Sequence, residues 1–184
     1  MSTADPLADL RPFVPKLREW VGQTVTAHAS VARCPSSVGF ERLPLFFPGP
    51  AGQRLLNEAR FVEVEKLPLP PLAAWGLQEF AWYEQMGGTG ITFESTYFLT
   101  PDSVTNESIH LHELVHVVQW NALGFERFIL AYAGGLRACG YRDNFLEVMA
   151  FDHQARFLTG SQPYDVGRAT WGQLGFLFGG SASS

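Results

Sequence analysis

Cysteine is scarce in this chain: Cys34 and Cys139 are the only two in 184 residues. That number excludes a disulfide framework, and nothing in the sequence supports a single bridge. Cys139 reads as a small buried hydrophobe rather than a metal ligand or a nucleophile. Long apolar runs are missing too, since no stretch reaches the roughly 18 consecutive apolar residues of a membrane span. The opening residues Met1-Ser2-Thr3-Ala4-Asp5-Pro6 lack the basic and apolar regions of a signal peptide. No basic stripe is present and the net charge is −5, which argues against nucleic acid as a partner. There are no internal repeats. These absences predict a cytoplasmic protein with no membrane partner. The 46% hydrophobic and 17% charged content predicts one globular domain with a sizeable core. An aromatic share of 14% adds an aromatic-rich core or pocket.

Against that background, His112-Glu113-Leu114-Val115-His116 stands out as an H-E-x-x-H run. Four residues of α-helix turn about 400° and rise about 6 Å, so histidines at i and i+4 lie one above the other. Two imidazoles so placed reach one tetrahedral metal ion. Glu113 lies about 100° round the helix, where it meets a water at the metal without being a ligand. The pattern needs a helix, and the context supplies one. Leu111, Val115, Val118 and Ala122 form a helical apolar stripe, while His112, His116 and Gln119 share another face. Start signals lie at residues 100–107, and Gly124 is a natural stop after Leu123. The spacing predicts a helix from about Asp102 or Asn106 to Leu123. A plain buried helix, its histidines hydrogen-bonded within the core, is the bland alternative.

A catalytic zinc takes three protein ligands and leaves a fourth position for water. Downstream, Asp143 or Asn144 caps a helix that carries Glu147 near its start and ends at Gly160. Glu147 shares a face with Ala150, whose small side chain allows close approach to the histidine helix. Glu147 is the leading third ligand, with His153 and Asp152 as rivals. Its bland role is to favour a helix N-terminus through the macrodipole.

Three stretches then carry a resemblance: Gly90-Ile91-Thr92-Phe93-Glu94-Ser95-Thr96-Tyr97-Phe98-Leu99, His112-Glu113-Leu114-Val115-His116-Val117-Val118-Gln119, and Tyr141-Arg142-Asp143-Asn144-Phe145-Leu146-Glu147-Val148-Met149-Ala150. The arrangement is similar to small gluzincin-like metallopeptidases of bacteria, most of them known only as domains of unknown function. The resemblance spans roughly residues 60–157. It implies an α+β, zincin-like fold, with a small mixed or antiparallel sheet packed on a central H-E-x-x-H helix and further helices C-terminal. It also implies a zinc ion held by His112, His116 and Glu147, with Glu113 as general base. One departure stands: better-known gluzincins often place an acidic residue four positions after the third ligand, and here that residue is Phe151. Asp152 lies one further, so Asn144 or a backbone carbonyl is the alternative for orienting a histidine.

The remaining chain reads as one domain, 1–184, with a zincin-like core over 61–160 and a frayed tail over 179–184. Residues 1–60 hold a helix and an extended segment with no visible role. The helix runs over about 16–31, with Leu17, Trp20, Val21, Thr24 and Val31 as its buried face. His28 on it reads as an ordinary structural histidine. Residues 34–39 and 48–52 read as loops, 41–47 as extended, 61–65 as a strand and 67–72 as a proline-rich connector. Gly87-Gly88-Thr89-Gly90 reads as a turn, not a phosphate loop. Residues 91–99 alternate and predict one strand running into the active-site helix. Phe93, Ser95 and Tyr97 on it are the substrate-binding candidates, by addition of an extended peptide to its edge. Residues 125–139 read as a helix with Gly134-Gly135 as a hinge or close contact.

The function expected is hydrolysis of a peptide or protein substrate by zinc-activated water. Tyr141 leads the candidates for stabilising the oxyanion, ahead of Tyr132, Arg142 and His153. His110 reads as a support for the site or a solvent-facing residue. The alternative is a non-catalytic zinc-stabilised or peptidase-like binding domain, with Cys139, His153 or Asp152 closing the metal's fourth position.

Overall fold

The computed structural model describes residues 7–179. The elements are α1 (Val14–His28), α2 (Gly49–Glu58), β1 (Arg60–Glu63), a single-turn α3 (Ala81–Glu84), β2 (Gly90–Phe93), β3 (Thr96–Leu99), α4 (Glu107–Cys139), α5 (Phe145–Leu158) and α6 (Val166–Phe178). The architecture is α+β, mainly helical, with one three-stranded mixed sheet in the order β1-β3-β2. Among the described residues no helix is long and apolar enough to cross a membrane. Of the expected frayed tail, only Gly179 lies within the described residues.

α4 is the axis of the fold. Asn106 caps it by accepting from the Ser108 N–H at 3.0 Å. Its first arm is almost wholly buried, with Leu111, Leu114 and Val115 at 0% exposure. Gly124 stops that arm as the sequence predicts, by adopting φ 70°, a left-handed value that glycine takes without strain. Helix resumes at once, so the expected segment over 125–139 becomes a second arm beyond the kink. Gly134 and Gly135 are close contacts: a Cβ at Gly134 would press on Leu7, and one at Gly135 would collide with the Asn144 side chain. Asn144 in turn caps α5, accepting from the Leu146 N–H at 3.2 Å and donating to the Tyr132 carbonyl at 3.0 Å. The fully buried Ala150 lets α5 lie close on α4.

The expected strand over 91–99 is instead a hairpin. β2 and β3 pair antiparallel, with Phe93 opposite Thr96, and Glu94 takes φ 54° in the two-residue turn. No Gly or Asn marks this turn, so the alternation runs through it unbroken and hides the reversal. β3 pairs on its other side with β1, in parallel.

Residues 7–59 build much of the support for α4. Arg33 exchanges two backbone hydrogen bonds with Phe61 of β1. Leu43, Phe46 and Phe47 are each 1% exposed, within a cluster that also holds Leu111, Leu114 and Val115. The stretch read as extended, 41–47, is a 3-10 turn over Leu43–Phe46. The Glu107 carboxylate fixes it, accepting from the N–H groups of Glu41, Arg42 and Leu43. The loop expected over 48–52 opens α2, because Pro50 falls in a first turn that needs no N–H. Gly52 is obligatory there, since a Cβ would strike the Phe47 carbonyl. α1 spans Val14–His28, with Pro15 inside its first turn. Val31, expected on its buried face, lies past its end and is 61% exposed.

His110 links helix and sheet. It is fully buried, with Nδ1 bonded to the Tyr97 hydroxyl at 2.7 Å and Nε2 to the Val104 carbonyl at 2.8 Å. It therefore faces neither solvent nor the other histidines, contrary to the reading from sequence. Burial lowers its pKa to about 4, although the bond to Val104 opposes this. The unfolded imidazole titrates near 6.5, so the unfolded chain binds the extra proton first. This group's contribution to stability is complete above about pH 6.5 and is lost as pH falls toward 4, by up to roughly 3 kcal/mol. Urea unfolding between pH 7 and 4 should therefore show a shallower pH dependence for His110→Gln than for the wild type. Parallel curves would remove this account.

Candidate metal centre

The site assembles at the crossing of α4 and α5. His112 and His116 project from one face of the first arm, each 6% exposed, and Glu147 meets them from the first turn of α5. Both rings are held from behind. His112 donates from Nδ1 to Gln154 Oε1 at 3.1 Å, and His116 from Nδ1 to Gln119 Oε1 at 2.8 Å. Gln119 is itself fixed by donating to the Leu146 carbonyl at 2.9 Å. With a proton on each Nδ1, the Nε2 lone pairs face inward.

The inward atoms have the spacing of a ligand set. The two Nε2 atoms are 3.1 Å apart, and Glu147 places Oε2 3.4 Å from His112 Nε2 and Oε1 3.4 Å from His116 Nε2. A tetrahedral ion with ligand bonds of about 2.0–2.1 Å has ligand-to-ligand edges of about 3.3–3.4 Å. Glu147 Oε1 also accepts from the Tyr132 hydroxyl at 2.6 Å. Oε2 accepts nothing, and among the described residues it is the one buried side-chain polar atom without a hydrogen-bond partner. A buried oxygen of this kind costs free energy unless a cation or proton meets it. Two inward lone pairs and a carboxylate so close together would repel unless a cation or proton lay among them. The residues therefore fit a metal ion, and His112, His116 and Glu147 could hold one.

In the absence of a metal, a proton takes part of that role. Burial disfavours the His116 imidazolium, but the Glu147 and Glu113 carboxylates outweigh it and lift its pKa to about 9. Burial likewise opposes charge on Glu147, yet His116 and His112 hold its carboxyl well below the usual carboxylate range. The local field is built for an anion facing a cation.

Glu113 stands beside the group without joining it. Its Oε2 accepts from Thr92 Oγ1 at 2.6 Å, while Oε1 lies against Gly90, where a Cβ would collide with it. Burial raises its pKa, opposed by His112, His116 and Thr92. A carboxylate so placed is readier to take up a proton than one in water. Tyr141 lines the same cavity as these groups. Burial, with the charges of Glu147 and Glu113, pushes its pKa up, so it remains a protonated donor.

The residues read from sequence thus divide. His112, Glu113, His116, Glu147, Tyr141 and Phe93 all line one cavity of about 400 Å³. Ser95 and Tyr97 do not. Ser95 sits in the hairpin turn, and Tyr97 is fully buried in the central strand, its hydroxyl committed to His110. Nor can 91–99 act as one substrate-binding edge, because β3 is paired on both sides. The rival ligands lie elsewhere. His153 bonds Tyr164 and Thr170, Asp152 pairs with Arg156, and Cys139 is exposed. Asn144 caps α5, so Gln119 and Gln154 do the orienting expected of it or of Asp152. Gln154 was legible in principle, seven residues after Glu147 and so on the same helical face. Thr92 and Gly90 were not, since only the hairpin brings them to Glu113. No family model, curated protein or solved structure matches the chain.

The supporting glutamines have a measurable consequence. Gln119→Leu and Gln154→Leu should each weaken metal binding roughly 10–100-fold in competition with a chelator. Asp152→Ala should leave it unchanged. Equal affinities in all three variants would show that the glutamines do not tune the ligands.

Proposed function

We propose that this protein is a zinc-dependent hydrolase of zincin-like, gluzincin-type architecture that cleaves amide bonds of peptide-like substrates. The observation that carries this reading is the orphaned Glu147 Oε2, 3.4 Å from His112 Nε2, on a carboxylate whose Oε1 lies 3.4 Å from His116 Nε2 at the wall of a cavity. Two imidazoles and one carboxylate are a recurrent donor set of catalytic zinc. A structural zinc would need a fourth protein ligand, and among the described residues no Cys, His, Asp or Glu joins the three. The open side points to chemistry rather than to a clamp.

When bound, zinc supplies Lewis acidity to the substrate carbonyl and to water. Gln119 and Gln154 keep the two rings oriented, and Tyr132 steadies Glu147. Glu113 is the general base: it takes a proton from water at Oε1, the oxygen left free by Thr92, and returns it to the leaving amine. Thr92 limits the rotation of that carboxylate, and Gly90 leaves it room. Tyr141 donates its hydroxyl proton toward the developing oxyanion.

Elemental analysis of the purified protein should find about one zinc per chain, lost in His116→Ala. In a peptide-library cleavage assay, Glu113→Gln should keep its zinc and lose roughly 10²–10⁴-fold in kcat. Tyr141→Phe should lose roughly 10²–10³-fold with little change in KM. Turnover retained by Glu113→Gln would end the general-base assignment, and a protein that takes up no zinc would end the proposal.

A further inference from the structure

The cavity is much larger than the reacting groups require, and its composition is uneven. Three of its polar side chains are committed already: Thr92 to Glu113, Tyr132 to Glu147, and Gln154 to His112. Other walls are purely apolar, formed by Leu10, Val14 and Leu17 with Leu77, Phe80 and Leu136. Leu136 lies one helical turn beyond Tyr132. Next to it Arg137 binds both Asp9 and Glu79, at 2.7 and 2.6 Å, and so clamps the neighbourhoods of Leu10 and Phe80 around this end. None of those six side chains carries a hydroxyl, an amide or a charge.

Such walls accept hydrocarbon but not backbone. A peptide threaded between them would bury N–H and C=O groups with no partners, at a cost comparable to a lost hydrogen bond each. Nor does the free edge of the sheet offer a full ladder. β2 is that edge, and its Thr92 carbonyl already accepts from Trp120 Nε1 at 3.2 Å. The size points the same way. A volume of about 400 Å³ holds roughly a dozen methylene-sized groups at about 30 Å³ each, more than any natural side chain fills.

We propose that the apolar part of this cavity binds one long hydrocarbon chain, and that the substrate is an amide carrying that chain. The bond to be cleaved rests on the hydrolase reading, whereas the binding of the chain does not. α1 acquires a role here, since it supplies one wall of the pocket beside the ligands carried by α4 and α5.

Calorimetry of straight-chain acyl hydroxamates on zinc-loaded protein tests the chain. Affinity should rise about fourfold per added methylene from two carbons and level off near ten. Ala133→Trp, which fills part of the cavity wall, should flatten that rise while still binding acetohydroxamate. Acetohydroxamate binding without any chain-length dependence in the wild type would overturn the pocket and spare the metal site. Tryptophan hydroxamate binding more tightly than decanoyl hydroxamate would also overturn it, in favour of a side-chain pocket. On chelator-treated protein, 1-decanol should raise the Tm and ethanol should not. That shift, with no hydroxamate bound by zinc-treated protein, would retain the pocket and remove the hydrolase. No shift with decanol and no chain-length dependence would remove the pocket.

Discussion

The structure turns on one electrostatic constraint: two imidazole nitrogens and a carboxylate are held 3.1–3.4 Å apart in a buried site. These atoms need a cation or a proton among them, and the packing around them holds them together. The rest of the fold can be understood as that packing. α4 carries the histidines on a rigid backbone, α5 brings Glu147, and Ala150 and Gly135 remove the side-chain volume that would separate the two helices. Two glutamines and a tyrosine then fix the rotamers.

The same helix has a second face with the opposite character. His110, two residues from His112, points away from the site into the sheet, where burial holds it neutral and Tyr97 and Val104 satisfy it. One imidazole is thus an internal strut and two belong to a group that could hold a metal, although they lie within seven residues. The difference lies in what opposes them: a carboxylate faces His112 and His116, while a hydroxyl and a carbonyl face His110. Tyr97 belongs with the strut, so a strand that looked like a substrate platform is part of the scaffold that aligns α4.

The N-terminal region changes meaning in the same way. Residues 7–59 contribute buried Leu43, Phe46 and Phe47 beneath α4, and Glu107 at the start of that helix caps the turn that holds them. α1 walls the cavity beside the site. This segment is part of the core and of the pocket, which its loops and prolines gave no means of foreseeing.

What the sequence determined by itself was local. Helical spacing put His112 and His116 on one face, Asp102 or Asn106 and then Gly124 bounded their helix, and Asp143 or Asn144 and then Gly160 bounded the helix of Glu147, with Asn106 and Asn144 the caps the structure uses. Each is a short-range matter of backbone geometry and capping, readable within a few residues. The tertiary structure alone decided the rest. It chose Glu147 over His153 and Asp152, Gln119 and Gln154 over Asn144, and a Glu94–Ser95 hairpin over one straight strand. Those outcomes depend on which faces of distant elements meet. Period-2 alternation continues through a tight turn, and a helix buried on nearly every side gives no sign of which face meets which neighbour. Only the packing of α5 on α4, and of β2 beside Glu113, selects among side chains that are equivalent in sequence.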